Sequence, residues 1–215
     1  MPATITPIER TADFVAGNYF DKYRSGNPIH QRLMSGFLRS AHELVQLANP
    51  LDVLEAGCGP GDLAANLFRE DAIESGKISY LGTDVSYEEI DNARLNYPAF
   101  EFQEASIYEL PFHDNRFDFV IACEVLEHLE TPVQAIAELA RVTSRYALVS
   151  VPWEPVWRIL NVLRGKYVAR LGNTPGHLQN FSRSAIRAAV SEHFTIIEER
   201  RPLPWTMLLL ESKRS

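Results

Sequence analysis

Along the chain from residue 51, short runs rich in apolar and β-branched residues alternate with stretches in which apolar positions recur every three or four residues. The runs occupy 51–56, 78–83, 100–103, 117–123 and 146–151. Between them Leu63 and Leu67, Ala64 and Phe68, and Val133, Ile136, Ala137 and Ala140 fall at helical spacing. Alternation of this kind predicts βαβ units around a parallel sheet with helices on both faces. Two further runs, 195–201 and 206–212, are joined by Arg201-Pro202-Leu203-Pro204. That link is too short for a crossover helix, so the pair is predicted to be an antiparallel hairpin completing a seven-stranded, mostly parallel, doubly wound α/β sheet.

Two segments fall outside the alternation. Residues 13–48 predict one or two helices broken at Pro28, with Leu33, Phe37, Leu38, Ala41, Leu44 and Val45 forming an apolar face. Residues 153–180 place Trp157, Leu160, Leu163, Tyr167 and Leu171 at roughly helical spacing before the turn Gly172-Asn173-Thr174-Pro175-Gly176.

Composition narrows the class. A chain of 215 residues with 46% hydrophobic and 23% charged residues can bury a core, which excludes wholesale disorder. The formal charge of −7 argues against nucleic acid as a bulk partner. Two cysteines, Cys58 and Cys123, suit a reducing compartment rather than a disulfide framework. Residues 1–13 lack the basic start and apolar stretch of a signal peptide, and no run approaches the roughly 18 apolar residues of a membrane span. The expectation is a soluble cytoplasmic protein.

The first predicted strand leads into Glu55-Ala56-Gly57-Cys58-Gly59-Pro60-Gly61-Asp62 and then a helical pattern. Glycines there allow a tight turn and close approach of backbone to a ligand. A dinucleotide fingerprint would need glycine where Asp62 stands, and no Gly-Lys-Ser/Thr follows for a phosphate loop. Flanked by Glu55 and Asp62, the loop instead prefers a ligand with a cationic or zwitterionic part. Asp84 closes the next strand 23 positions beyond Gly61, where a carboxylate can accept ribose hydroxyls. A nucleoside bearing a positive centre satisfies both features; a plain strand-to-helix turn with Asp84 as a helix cap is the structural alternative.

The strings VLEAGCGPG, LGTD and ELPFHDNRFDFVIACEVLEHL resemble class I S-adenosylmethionine-dependent methyltransferases, particularly the small-molecule branch similar to enzymes of the ubiquinone and menaquinone pathways. The resemblance implies a Rossmann-like fold with S-adenosyl-L-methionine as cofactor. It implies that Gly57, Gly59 and Gly61 lie beneath the methionyl part, that Glu55 faces its amino group or sulfonium, and that Asp84 holds the ribose. Glu124 joins this cofactor set. Where the family usually carries an Asp-Ala pair for adenine, this chain has Ser106-Ile107. A hydroxyl can accept the same hydrogen bond without charge, and the backbone contact at Ile107 survives any side chain.

Methyl transfer to a hydroxyl needs alignment, exclusion of water and removal of a proton. Glu124, Glu127 and His128, at i, i+3 and i+4, would share one face of a helical turn after the fourth strand. The pattern looks like the metal-ligand motif of ubiquinone-pathway O-methyltransferases and small-RNA 2′-O-methyltransferases. The latter add a distal histidine, which His177, followed by Phe181 and Ser182, matches. Two readings stay open. In the favoured, metal-free one, His128 or His177, with Glu127 beside them, takes the acceptor's proton. In the other, Glu124, Glu127, His128 and His177 bind a divalent ion that holds and acidifies a hydroxyl pair.

In the family, an insertion after the fifth strand commonly forms part of the acceptor pocket. Residues 153–183 carry Arg158, Arg164, Lys166, Arg170 and Arg183 against a single acid, Glu154, which suggests an anionic small-molecule acceptor. An amphipathic helix over 155–171 resting on an anionic membrane is the alternative. Related enzymes often fold an N-terminal helix over the cofactor, with tyrosines on the acceptor side; Tyr19 and Tyr23 are the candidates here. The expected organisation is a helical lid at 1–48 and a methyltransferase domain at 49–215 with 153–180 as the acceptor-side cap. The expected activity is methylation of a hydroxyl or carboxyl oxygen of a small anionic metabolite. A metal-dependent O-methyltransferase acting on a vicinal diol, a catechol or an RNA 2′-hydroxyl is one alternative. A non-methylating cofactor-binding regulatory or non-redox protein is the other.

Overall fold

A computed structural model of the chain describes residues 27–163 and 177–213. The first described helix, α1 (Pro28–Ala48), starts where the sequence reading expected a break. Asn27 caps it, its side-chain oxygen accepting from the amides of Ile29 and His30, and Pro28 occupies the first turn, where its missing N–H costs nothing. Met34, Phe37, Ala41, Leu44, Val45 and Ala48 form its buried stripe, and it ends at Asn49, which takes a left-handed conformation.

The alternation that follows is β1 (Asp52–Ala56), α2 (Asp62–Leu67), α3 (Glu70–Glu74), β2 (Ser79–Asp84), α4 (Tyr87–Asn96), β3 (Glu101–Glu104) and β4 (Phe117–Cys123). Then come a single 3₁₀ turn at Leu126–His128, α5 (Pro132–Val142), β5 (Thr143–Pro152), α6 (Val156–Leu163), α7 (Arg183–Val190), β6 (Phe194–Arg200) and β7 (Trp205–Ser212). All seven expected strands are present, with ends displaced by at most three residues. They form one sheet in the order β3-β2-β1-β4-β5-β7-β6. The first five are parallel, and β7 runs antiparallel to both β5 and β6.

Neighbouring strand residues alternate between two cores. Val53, Phe119, Ile121, Met207 and Leu209 pack with α1, α2 and α4, while Leu54, Val120, Ala122, Leu208 and Leu210 pack with α5 and α7. Burial on both faces is why these strands read as continuous apolar runs. Strand order reverses between β1 and β4, so the loops leaving those two strands diverge and open a crevice at the carboxyl edge of the sheet. Because β6 is parallel to β5, the β6–β7 turn lies on that same edge. The 105–115 connection is tied down by Arg141, whose guanidinium donates to the carbonyls of Leu110 and Phe112 at 2.9 and 2.7 Å and pairs with Glu138 and Asp114.

Candidate functional site

At the end of β1 the chain turns under its own hydrogen bonds: the amides of Gly57 and Cys58 both donate to Thr83 O, at 2.7 and 2.9 Å. Gly57 and Gly61 have φ of 81° and 85°. A Cβ on Gly57 would stand 2.4 Å from Val125 Cγ2, and one on Gly61 2.9 Å from Phe102 Cζ. Both positions therefore demand glycine for conformation and for space. Asp84 locks the loop from β2, with Oδ2 accepting from Gly59 N at 3.0 Å and Oδ1 from Ser86 N at 2.9 Å. Burial raises its carboxyl pKa against these two amides, which act in the opposite direction.

Two tyrosines hold the flanking acids. Glu55 is buried, and its Oε2 accepts from Tyr80 OH at 2.7 Å; burial pushes its pKa up to about 8, with the Tyr80 hydrogen bond opposing and Asp84 and Asp62 adding to the rise. Asp62 Oδ1 accepts from Tyr97 OH at 2.5 Å. Asp62 opens α2, the place where a phosphate would otherwise meet free amides, so the loop favours positive charge. Burial also raises the pKa of Cys58 and Cys123, holding both as thiols rather than nucleophiles. Ser106 follows β3 beside Asp84, whose carbonyl accepts from Ala105 N at 3.0 Å. The Ser106 hydroxyl accepts from Tyr108 N at 3.3 Å, and Ile107 packs partly buried against the second core.

The helical face expected for Glu124, Glu127 and His128 does not form. Glu124 has φ of 62°, and only Leu126–His128 turn as a 3₁₀ segment, so three-residue spacing from Glu124 does not bring the side chains together. Glu124 is held elsewhere, accepting from Ser150 Oγ at 3.1 Å and from Trp205 Nε1 at 2.6 Å. The residues that do converge are Glu127, His128 and His177, with one ligand-type atom from each all within 4.8 Å of one another. The backbone enforces this approach, since Leu178 N and Gln179 N both donate to Glu127 O, at 2.8 and 3.0 Å. Gln179 Nε2 adds bonds to the carbonyls of Leu129 and Glu130.

Rings line up behind the imidazoles. His128 and His177 meet edge to face at 5.0 Å, Trp157 stacks on His177 at 6.0 Å and 24°, and Trp205 sits 5.8 Å from Trp157 and 5.1 Å from Phe37. The sequence places Trp157 in the acceptor-side cap and Phe37 on an apolar helix face, and assigns no site role to Trp205. The available signal was that all three tryptophans of the chain, at 153, 157 and 205, flank the end of the fifth strand or open the last one. Tyr19, Tyr23, Arg164, Lys166 and Arg170 lie outside the described residues. No helix among the described residues is long and apolar enough to cross a membrane.

Residues 54–150 match the family described as a methyltransferase domain. A probable S-adenosylmethionine-dependent methyltransferase of Mycobacterium tuberculosis is 34% identical over 158 residues, 70% of this chain and 50% of that protein. The ubiquinone biosynthesis O-methyltransferase of Rickettsia bellii is 29% identical over 54% of this chain and 45% of its own length. The chain spans about a third to a half of the length of the curated relatives it matches. Among solved structures, the magnesium protoporphyrin IX methyltransferase of Synechocystis with bound S-adenosylhomocysteine shares the fold, at a TM-score of 0.66 and 20% identity over 88% of this chain and 89% of that one.

Proposed function

The chain carries a methyltransferase domain of the class I S-adenosylmethionine-dependent family, and from that premise we propose that it methylates a hydroxyl or carboxyl oxygen of a small anionic metabolite. The observation that carries the reading is the shared edge: the glycine loop locked by Asp84 on one side and the Glu127, His128, His177 group on the other. The loop residues suit the cofactor. Asp84 is fixed by Gly59 N and Ser86 N, ready to accept from ribose hydroxyls, and the buried Glu55 together with Asp62 favours the ammonium and sulfonium charges.

When bound, S-adenosylmethionine supplies an electrophilic methyl carbon on sulfonium, which is left as a neutral thioether once the acceptor oxygen has taken the methyl group. The protein aligns that oxygen, excludes water and receives its proton when the acceptor is a hydroxyl. His177 or His128 takes the proton at an imidazole nitrogen. Trp157 and Trp205 wall the site against solvent, and the stacking of Trp157 fixes the plane of His177. A carboxylate acceptor needs no base.

The closeness of Glu127, His128 and His177 favours a second reading, in which these three hold a divalent ion. A mixed carboxylate and imidazole set suits Mn, Fe, Co or Zn, and such an ion would acidify and orient a hydroxyl. Glu124, engaged by Ser150 and Trp205, belongs to the wall of the site in this version.

Calorimetry with S-adenosylmethionine and S-adenosylhomocysteine, followed by an acceptor screen with labelled methyl, tests the main reading. Saturable binding with label transfer to small acids is expected. Absence of binding ends the proposal, and binding with no turnover on any acceptor indicates a non-methylating cofactor-binding protein. Activity that survives exhaustive chelation and ignores added Mn or Co removes the metal version.

A further inference from the structure

Beyond the aromatic wall, the same edge carries a cluster of arginines. Arg183, at the start of α7, sets its guanidinium over the Trp153 ring, Cζ standing 3.4 Å from the centroid. Its Nε is sealed from solvent and meets no hydrogen-bond acceptor among the described residues. No acid pairs directly with it among the described residues. The nearby carboxylate, Glu199, is already shared by Arg201 at 2.6 Å and Arg187 at 3.3 Å. Two guanidiniums thus share one carboxylate, whose charge also acts on Arg183. Burial and the adjacent Arg201 lower the pKa of Arg183, the effect expected of a cation held next to another cation.

The fold holds this cluster in place. Trp153 follows β5 and donates its backbone N–H to Pro204 O at 2.8 Å, Arg201 follows β6, and Ser182 caps α7 through Ala185 N at 3.1 Å. Trp157 N in turn donates to Trp153 O at 3.0 Å. A single backbone hydrogen bond therefore ties the residue under Arg183 to the one that stacks on His177.

We propose that Arg183, stacked on Trp153 and backed by Arg201, is a binding site for a small-molecule oxyanion, a carboxylate or phosphate group. A planar guanidinium held against an aromatic face presents a preset fork to two oxygens, and the uncompensated charge beside it supplies the attraction. In the methyl-transfer reading, on which only the identity of the bearer rests, that oxyanion belongs to the acceptor. The acceptor is then a molecule long enough to reach from the Arg183 fork past Trp157 to the His177 imidazole.

The test uses the full chain without cofactor. Tryptophan emission is followed while inorganic phosphate, or separately acetate, replaces chloride at constant ionic strength, for the wild type and for Arg183→Gln and Arg183→Lys. A saturable change with one of the two anions is expected, with affinity about tenfold or more weaker in Arg183→Gln and an intermediate loss in Arg183→Lys, which keeps the charge but not the fork. Binding of S-adenosylmethionine, measured by calorimetry, should be equal in all three proteins. A response no different from chloride, or one unchanged in Arg183→Gln, overturns the site. Binding to vesicles of anionic lipid without a saturable response to either free anion overturns it in favour of a membrane surface. If Arg183→Gln loses its cooperative unfolding, Arg183→Lys decides alone: wild-type anion affinity in that variant refutes the fork. Failure of the methyl-transfer reading would show instead as absent S-adenosylmethionine binding in the wild type.

Discussion

On the β1–β2 side of the sheet edge the ligand-facing groups come from one stretch, 55–84, and are acids held by tyrosines and backbone amides. On the β5–β7 side they come from scattered stretches and are rings, imidazoles and arginines. Glu55 and Asp62 each take a tyrosine hydroxyl, whereas Trp157 contacts His177 and Trp205, and Arg183 covers Trp153. In the proposed function the difference separates two tasks: a local loop for the cationic cofactor, and a long-range assembly for the acceptor and its proton.

The sharpest way to break this division is at His177. His177→Ala should lower turnover by a factor of about 10² to 10⁴, the usual yield of a positioned base, with cofactor affinity unchanged. Single-turnover label transfer and calorimetry on the same preparation measure both, and a fully active variant would remove His177 from base and metal roles alike.

Next in size is Gly57→Ala, which combines a left-handed backbone with a Cβ driven into Val125. It should reduce stability by about 2–4 kcal/mol in urea unfolding. Adding Val125→Ala should recover the steric share but not the conformational one. A harmless Gly57→Ala would mean that the loop is not held as tightly as these contacts imply.

Asp84→Ala should weaken S-adenosylmethionine binding by about 1–3 kcal/mol, as expected when hydrogen bonds to a charged group are lost. The anion response at Arg183 should not change. Loss of both together would show that the two sides are one coupled unit.

A gradual effect, spread over several pH units, is a slope with pH. The folded-state pKa of Glu55 is about 8 against an ordinary 4.5, so between those values the folded protein holds a proton that the unfolded chain releases. Its stability without cofactor should therefore fall as pH rises from about 4.5 to 8, by at most about 1.4 kcal/mol per pH unit, and Glu55→Gln should flatten the slope. A cationic cofactor favours the ionised carboxylate, so its affinity should rise over the same window with release of a proton. Calorimetry in buffers of different ionisation enthalpy detects that proton, and its absence would separate Glu55 from the cofactor's charge.

How much of this was legible beforehand follows the same divide. Glycine loop, Asp84 and strand positions were readable because a strand, a turn and the next strand's end are set by neighbours in sequence, and burial on both faces writes continuous apolar runs. The C-terminal hairpin was readable because four residues cannot hold a crossover. The i, i+3, i+4 reading of Glu124 failed because a left-handed residue and a short 3₁₀ turn leave the same letters as a helix start. Pro28 read as a break because proline signals both an interruption and a first helical turn, and the Asn27 cap decides between them.

The sequence by itself determined the α/β class, the glycine loop flanked by two acids, and the carboxylate one strand away, since each depends on local spacing. Only the tertiary structure decided which groups meet across the edge. It took the antiparallel pairing of β5 with β7 to bring Trp205 to Glu124, 81 positions away, and backbone bonds to Glu127 to set His177 beside His128. The surroundings of Arg183 were likewise decided by Trp153 and Glu199 arriving from different strand ends. Such contacts depend on strand register and on how neighbouring elements pack, and no local periodicity records them.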